Sequence, residues 1–141
     1  MNATCTFKVE SWDEQPLDTG AAGDTGRRST HAVVRQSVSG DVTGSGRADW
    51  LMCYRPDGTA DYVGLQQVEG RFGGGAGAFT CSSVGTFDGS VAVGTLTVLE
   101  GSGTGDLAGV AGTATFRAPH GDAATVRFEL QVPVMAPSTG G

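Results

Sequence analysis

The chain has 141 residues, a length typical of one domain, with 24 glycines and a formal net charge of −6 at pH 7. This acidic balance argues against nucleic-acid binding, because the basic residues form no cluster larger than Arg27-Arg28. No apolar stretch approaches the length of a membrane-spanning helix, and the N-terminal segment lacks the features of a signal peptide. We therefore expect a cytoplasmic protein with no nucleic-acid or membrane partner.

Glycines and turn residues divide the chain into short stretches that alternate apolar and polar residues, the pattern of β-strands. The expected strands are 4–12, 31–39, 42–55, 59–72, 78–87, 91–99, 112–118 and 123–132. We expect 13–26 to be a polar loop and 101–110 to hold at most one short helical turn.

Eight short strands predict an all-β fold, an eight-stranded antiparallel up-and-down β-barrel, since closure removes exposed strand edges. A two-sheet sandwich is the alternative. The barrel domain is expected over residues 1–134, and 135–141 are expected to form a flexible tail.

Cysteines and histidines are few. Cys5, Cys53 and Cys81 are odd in number and have no C-x-x-C spacing, so we expect thiols. His31 and His120 are too few and too far apart in the chain for a typical metal site. We expect no metal and no cofactor.

The segment from Arg55 to Thr59 reads Arg-Pro-Asp-Gly-Thr and predicts a β-hairpin turn, because proline and glycine suit its special backbone angles. Pairing of Arg55 with Thr59 would place Met52 opposite Tyr62. One face of this hairpin is aromatic and nearly uncharged, so we expect it to line the barrel interior. This face carries Trp50, Met52, Tyr54, Tyr62 and Gln66.

Two further strands contribute candidate interior residues. On the fifth strand, the face with the large aromatic residue is expected to point inward. It carries Phe79, Cys81 and Ser83. On the first strand, Glu10 and Trp12 share one face, and alternation alone leaves open whether that face lies inside. Eight-stranded barrels are either filled by side chains or hold one small ligand, and both outcomes stay open here.

Five segments resemble bacterial DUF3224 proteins, in order along nearly the whole chain. They are VESWDEQP (9–16), LMCYRPDG (51–58), GTFDG (85–89), GSGTGDLAG (101–109) and APHG (118–121). That family is similar in fold to the plant allene oxide cyclases. The resemblance implies a barrel with a central pocket, no metal or cofactor, and relatives that close reactive polyenes or epoxides into rings. It also implies an acidic residue where Gln66 stands and a histidine where Ser83 stands, so this chain lacks that ionisable pair.

The first expected function is a cofactor-free cyclase or isomerase that orients a small apolar, natural-product-like substrate and excludes water. Its catalytic residues would be Glu10 as base and Tyr54, Gln66 and Ser83 as hydrogen-bond donors. Its ligand-binding walls would be Trp12, Trp50, Met52, Tyr62, Phe79 and Cys81.

The alternatives are a non-catalytic, lipocalin-like binder of a small apolar molecule and a filled barrel that serves as a scaffold. An inward, desolvated Glu10 favours an enzyme, and an outward Glu10 favours a binder. Glu14 is the other candidate acid or base near the end of this strand. By resemblance to related barrels, association through the outer walls into a homo-dimer or homo-trimer is expected.

Overall fold

The computed structural model describes residues 1–17, 28–119 and 123–133. Within this part of the chain, eight antiparallel strands form a closed barrel in sequential order, with the last strand paired to the first. They are β1 (Asn2–Pro16), β2 (Arg28–Gly40), β3 (Val42–Tyr54), β4 (Ala60–Phe72), β5 (Gly75–Phe87), β6 (Val91–Val98), β7 (Ala111–Pro119) and β8 (Ala124–Gln131). A 3-10 turn, Gly105–Leu107, follows β6. The predicted eight-stranded all-β barrel is confirmed.

The hairpin between β3 and β4 has the predicted register. Met52 pairs with Tyr62 across the two strands. The Arg55 amide donates to the Thr59 carbonyl at 2.8 Å, and Gly58 has a φ of 91°, which a residue with a Cβ rarely adopts. Local turn chemistry therefore sets which side chains of β3 and β4 enter the barrel.

β1 is longer than predicted and contains a β-bulge. It runs to Pro16, so the start of the expected loop 13–26 is strand, and residues 18–27 lie outside the described residues. Val9 pairs with Gln36 and Ser11 with Arg35, which leaves Glu10 as the extra residue of the bulge. A bulge shifts the alternation by one residue, so inward positions change from odd numbers to even numbers after it.

Side chains fill one half of the barrel interior. Four phenylalanine rings pack there with centroid separations of 5.4 to 6.4 Å. They are Phe7, Phe72, Phe79 and Phe128. Leu107 of the 3-10 turn is 2% exposed and packs at the same end, over Gly77. This phenylalanine cluster closes one end of the barrel.

The other half of the interior is open where small residues occupy inward positions on three neighbouring strands. Ala92, Ala118 and Ala124 face inward near the ends of β6, β7 and β8, where larger side chains would fill the space. The barrel is thus a cup, filled by side chains at one end and hollow at the other, and of the two arrangements left open by the sequence it has the one with internal space for a small molecule.

No helix within the described residues has the length and apolarity needed to cross a membrane. His120 and the expected tail 135–141 lie outside the described residues, and the domain boundary at 134 stays a prediction.

Candidate ligand-binding site

The open half of the barrel encloses a cavity of about 900 Å³. Its walls are mainly aromatic and alanine side chains, with Lys8, Glu14 and Gln36 as the polar exceptions. Small-molecule sites commonly measure about 300–1,000 Å³ and combine apolar walls with a few polar groups. A second concavity of about 690 Å³ at the closed end has Phe72 as the sole aromatic among its described lining residues. The barrel cavity is therefore the stronger candidate site.

Trp50 is the centre of the aromatic wall. Its ring lies 5.9 Å from Trp12, 5.3 Å from Tyr62 and 6.0 Å from Phe116, measured between centroids. Trp50 is 6% exposed and Tyr62 4%, whereas Trp12 is 47% exposed. Tilted and edge-on contacts of this kind hold each ring in place. The wall is therefore packed around Trp50, while Trp12 presents much of its ring to solvent.

Tyr62 fits into a slot made by two facing glycines. Gly85 of β5 pairs with Gly94 of β6. A Cβ added at Gly85 or Gly94 would lie 2.4 or 2.5 Å from the Tyr62 hydroxyl oxygen, closer than atoms can pack. The missing side chains therefore make room for the outer end of the Tyr62 ring.

Glu14 holds three side chains together at the cavity rim. Its Oε2 accepts hydrogen bonds from the Thr30 hydroxyl at 2.5 Å and the Tyr54 hydroxyl at 2.8 Å. Its Oε1 accepts one from the Trp12 indole N–H at 3.0 Å. Burial alone would raise the pKa of this carboxyl, but these three hydrogen bonds and the charge of Arg28 outweigh burial and lower it. Glu14 is therefore ionised near pH 7 and is a weak base.

Tyr54 completes the rim. Burial, together with the hydrogen bond to Glu14 and the negative charge of that carboxylate, raises the pKa of the Tyr54 phenol to about 12. The guanidinium carbon of Arg28 lies 4.7 Å from the centre of the Tyr54 ring, a cation–π contact. The phenol stays protonated at neutral pH and donates to Glu14.

Two glutamine amides meet at the inner boundary of the cavity. Gln66 Nε2 donates to Gln36 Oε1 at 3.0 Å, and it also lies 3.2 Å from the Arg47 carbonyl and 3.0 Å from the Gln67 carbonyl. Gln36 lines the cavity and Gln66 does not. The NH₂ group of Gln66 is thus used inside the barrel wall, where it positions Gln36.

A family model described as "Protein of unknown function (DUF3224)" matches residues 3–130. The chain belongs to the DUF3224 family. It is similar to a crystal structure of a DUF3224 protein of unknown function from Shewanella oneidensis MR-1, with a TM-score of 0.74 and 21% identity over 95% of this chain and 98% of that chain. At this identity the likeness shows a shared fold. No curated protein matches the chain.

In this DUF3224 barrel, three of the six expected ligand-binding residues line the cavity. They are Trp12, Trp50 and Tyr62. Met52, Phe79 and Cys81 face inward but do not line it. Phe79 belongs to the phenylalanine cluster, and burial raises the pKa of the Cys81 thiol to about 12.

Tyr54 is the one expected catalytic residue on the cavity wall of this DUF3224 protein. Gln66 and Ser83 point inward as the register predicted, at 1% and 2% exposed, but neither lines the cavity. Glu10 was expected on one face with Trp12, and this is wrong because the bulge separates them. Glu10 is exposed outside the cavity lining. The chemical roles assigned to these residues stay predictions.

Sequence reasoning missed Gln36, Thr30 and Phe116 and gave Glu14 only a minor place. A signal for Gln36 was present, since it is one of two polar members, with Thr30, of an inward series on β2. That series is Thr30, Ala32, Val34, Gln36 and Val38, all buried. The position of Glu14 on the cavity wall depends on the bulge in β1, which was not predicted from the sequence.

The described residues contain no group of three or more metal-ligating side chains. His31 lies on the outer wall, 3.2 Å from the Asp49 carboxylate, which also accepts from Arg47 at 2.8 Å. All three cysteines are thiols, as expected.

Proposed function

We propose that this DUF3224 protein binds a small, mainly apolar molecule in the barrel cavity without transforming it. The observation that carries the proposal is the cavity of about 900 Å³ beside the packed wall around Trp50. Aromatic rings that are already held in place lose little conformational entropy when a ligand arrives. A wall of this kind is suited to tight, shape-selective binding.

The polar groups support binding over catalysis. Glu10 is exposed, which by the criterion stated above favours a binder. Glu14 reaches the cavity, but the hydrogen bonds that lower its pKa also make it a poor proton acceptor. Among the described residues, the cavity lining has no other carboxylate.

Apolar burial indicates the affinity to expect. A ligand that buries about 300 Å² of apolar surface gains roughly 8 kcal/mol, which corresponds to a Kd near 1 μM before ordering costs. Because association and ordering costs reduce this gain, we expect a Kd weaker than micromolar from apolar burial of this size alone, and tighter binding of a ligand that buries more surface or also forms hydrogen bonds.

Fluorescence titration with the uncharged probe N-phenyl-1-naphthylamine tests the proposal. Ala92→Phe places a ring inside the cavity, and Ala108→Phe places the same ring on the exposed surface at the closed end. We expect the first variant to bind the probe at least tenfold more weakly than the unmodified protein and the second to bind it equally well. Equal binding by both variants, or no saturable binding by the unmodified protein, would contradict the proposal.

A second candidate is the cofactor-free cyclase or isomerase of the allene oxide cyclase type. The hydrogen bond between Tyr54 and Glu14 at the cavity rim supports it, because a phenol and a carboxylate are a donor and an acceptor that a reacting ligand could use. If this candidate is correct, a ligand that is bound and re-extracted keeps its mass but changes its chromatographic retention. Tyr54→Phe would then slow that conversion more than it weakens binding.

The cytoplasmic location and the homo-dimer or homo-trimer stay predictions. Light scattering coupled to size-exclusion chromatography measures the oligomeric state directly.

A further inference from the structure

Gln36 carries the one side-chain amide among the described residues that line the cavity, where the other neutral polar groups are tyrosine hydroxyls and tryptophan indole N–H groups. Gln36 is 4% exposed and lines the cavity together with Phe7, a member of the phenylalanine cluster. The charged polar groups, Lys8 and Glu14, are at least partly exposed. Gln36 is therefore the polar group at the inner end of the cavity, away from solvent.

The orientation of the Gln36 amide follows from its neighbours. The Arg47 and Gln67 carbonyls can only accept hydrogen bonds, so the atom of Gln66 that contacts both must be the nitrogen. Because that nitrogen donates to Gln36, the atom of Gln36 that it meets must be the oxygen. The NH₂ group of Gln36 is thereby turned away from Gln66.

The Gln36 NH₂ group has no hydrogen-bond partner among the described residues. It is also not sealed in the protein, since the Trp50 indole nitrogen is the one fully buried side-chain polar atom without a partner in the described part of the chain. Because the Gln36 side chain points into the barrel and lines the cavity, the accessible surface of its NH₂ group faces the cavity. Two N–H donors therefore face the cavity at its inner end.

Gly46 makes room for this pair of amides. It pairs with Gln36 across β2 and β3, and a Cβ at Gly46 would lie 2.8 Å from Gln36 Oε1 and 3.1 Å from Gln66 Nε2. The glycine, the two carbonyls and Gln66 together fix the direction of the Gln36 donors. Preorganised donors of this kind select ligands that carry an acceptor at the matching position.

We infer that Gln36 recognises a hydrogen-bond acceptor, so that the ligand is an uncharged, mainly apolar molecule with a carbonyl or ether oxygen at the end that enters first. The inference rests on the proposed binding function. A carboxylate is disfavoured at this end because the one cationic side chain among the described lining residues, Lys8, is exposed to solvent, and an ion moved to the inner end would lose its hydration. A hydrocarbon would leave the Gln36 donors without a partner, which is also costly.

Three ligands of equal chain length separate the alternatives: 2-undecanone, undecane and undecanoate. Their affinities are measured by displacement of N-phenyl-1-naphthylamine from the unmodified protein, from Gln36→Leu and from Gln67→Leu. The last variant is a matched control, because Gln67 carries the same side chain on the exposed face of β4 and its carbonyl is unchanged.

We expect the unmodified protein and Gln67→Leu to prefer the ketone over the alkane by about tenfold, as one hydrogen bond allows. Gln36→Leu should lose most of that preference while it still binds the probe. An unchanged preference in Gln36→Leu, or tightest binding of undecanoate through Lys8, would overturn the inference and leave the binding function standing. Failure of the unmodified protein to bind the probe would overturn the binding function itself.

The side-chain amide signal of Gln36 in a nitrogen-15 spectrum of the unmodified protein provides a test that does not depend on the folding of any variant. 2-Undecanone should shift this signal strongly and undecane only weakly. Equal shifts with the two ligands would contradict recognition by Gln36.

Discussion

The Tyr54 hydroxyl donates a 2.8 Å hydrogen bond to the Glu14 carboxylate, joining the end of β3 to the part of β1 that follows the bulge. The same carboxylate accepts from Trp12 and Thr30. Glu14 supplies the one carboxylate among the described residues that line the cavity, and this carboxylate holds the rim. This arrangement makes the position of Trp12 depend on the ionisation of Glu14.

Replacing Tyr54 by phenylalanine tests the stabilising part of this arrangement. The variant loses one hydrogen bond to a half-buried carboxylate, and we expect the free energy of unfolding to fall by about 1 kcal/mol after allowance for solvent screening. The pKa of Glu14 should rise, since one of the bonds that lower it is gone. Urea unfolding at pH 7 measures the first effect and a carbon-13 NMR titration of the Glu14 carboxyl the second. An unchanged Glu14 titration would show that the bond is not formed in solution.

The pH dependence of folding stability follows from the direction in which the pKa of Glu14 is shifted. The ordinary pKa of this carboxyl is 4.5, and the folded value is lower, so Glu14 stabilises the fold above that pH and the contribution is lost as pH falls through the folded pKa. Glu14→Gln should therefore be less stable than the unmodified protein at pH 7, and the difference should shrink as the pH falls from about 5 through the folded pKa.

The measurement is urea unfolding of both proteins across this pH range. The pKa values of Asp49, Asp57 and Asp88 are also lowered, but these carboxyls are present in both proteins, so the difference isolates Glu14. Parallel stability curves from neutral to acidic pH would contradict an ionised, hydrogen-bonded Glu14.

The register of β3 and β4 could be predicted from the sequence because the turn between Arg55 and Thr59 specifies it through local chemistry. Once one pair across a hairpin is known, the side-chain period of two assigns every other pair. The inward positions of Gln66 and Met52 followed in this way.

Which face of β1 points into the barrel could not be predicted, because a β-bulge has no reliable signal in a single sequence. Glu10 is the inserted residue, and without it the alternation runs continuously through Trp12. Glu10 was therefore named as the candidate base inside the cavity, whereas the carboxylate that lines the cavity is that of Glu14. The cavity was equally hidden, since its volume depends on which alanines meet in three dimensions rather than on any one strand.

The glycine slot predicts a sharp contrast between two alanine substitutions. Gly94→Ala would place its Cβ 2.5 Å from the Tyr62 hydroxyl and 2.7 Å from the Val84 carbonyl, so Tyr62 and the sheet must both move. We expect a loss of about 2–3 kcal/mol in unfolding free energy, in the range of overpacked cores. Gly74→Ala meets no atom within 4 Å and should be nearly neutral. Similar melting temperatures for the two variants would contradict the packing of Tyr62 against Gly94.

Two of the three cysteines should resist modification in the folded protein. Burial raises the pKa of Cys5 to about 11 and that of Cys81 to about 12, so almost no thiolate is present at pH 8. Iodoacetamide followed by peptide mass spectrometry should find both residues unlabelled in buffer and fully labelled in urea. Rapid native labelling of Cys81 would show that the barrel interior opens far more readily than its packing indicates.

The crystal structure of the protein soaked with 2-undecanone tests the central claim most directly. We predict continuous density for the ligand inside the barrel, between Trp12, Trp50 and Tyr62, with its oxygen within hydrogen-bond distance of the Gln36 amide nitrogen. A barrel whose side chains have collapsed into the cavity, or density confined to the outer wall, would contradict the claim that this DUF3224 protein is a small-molecule-binding cup.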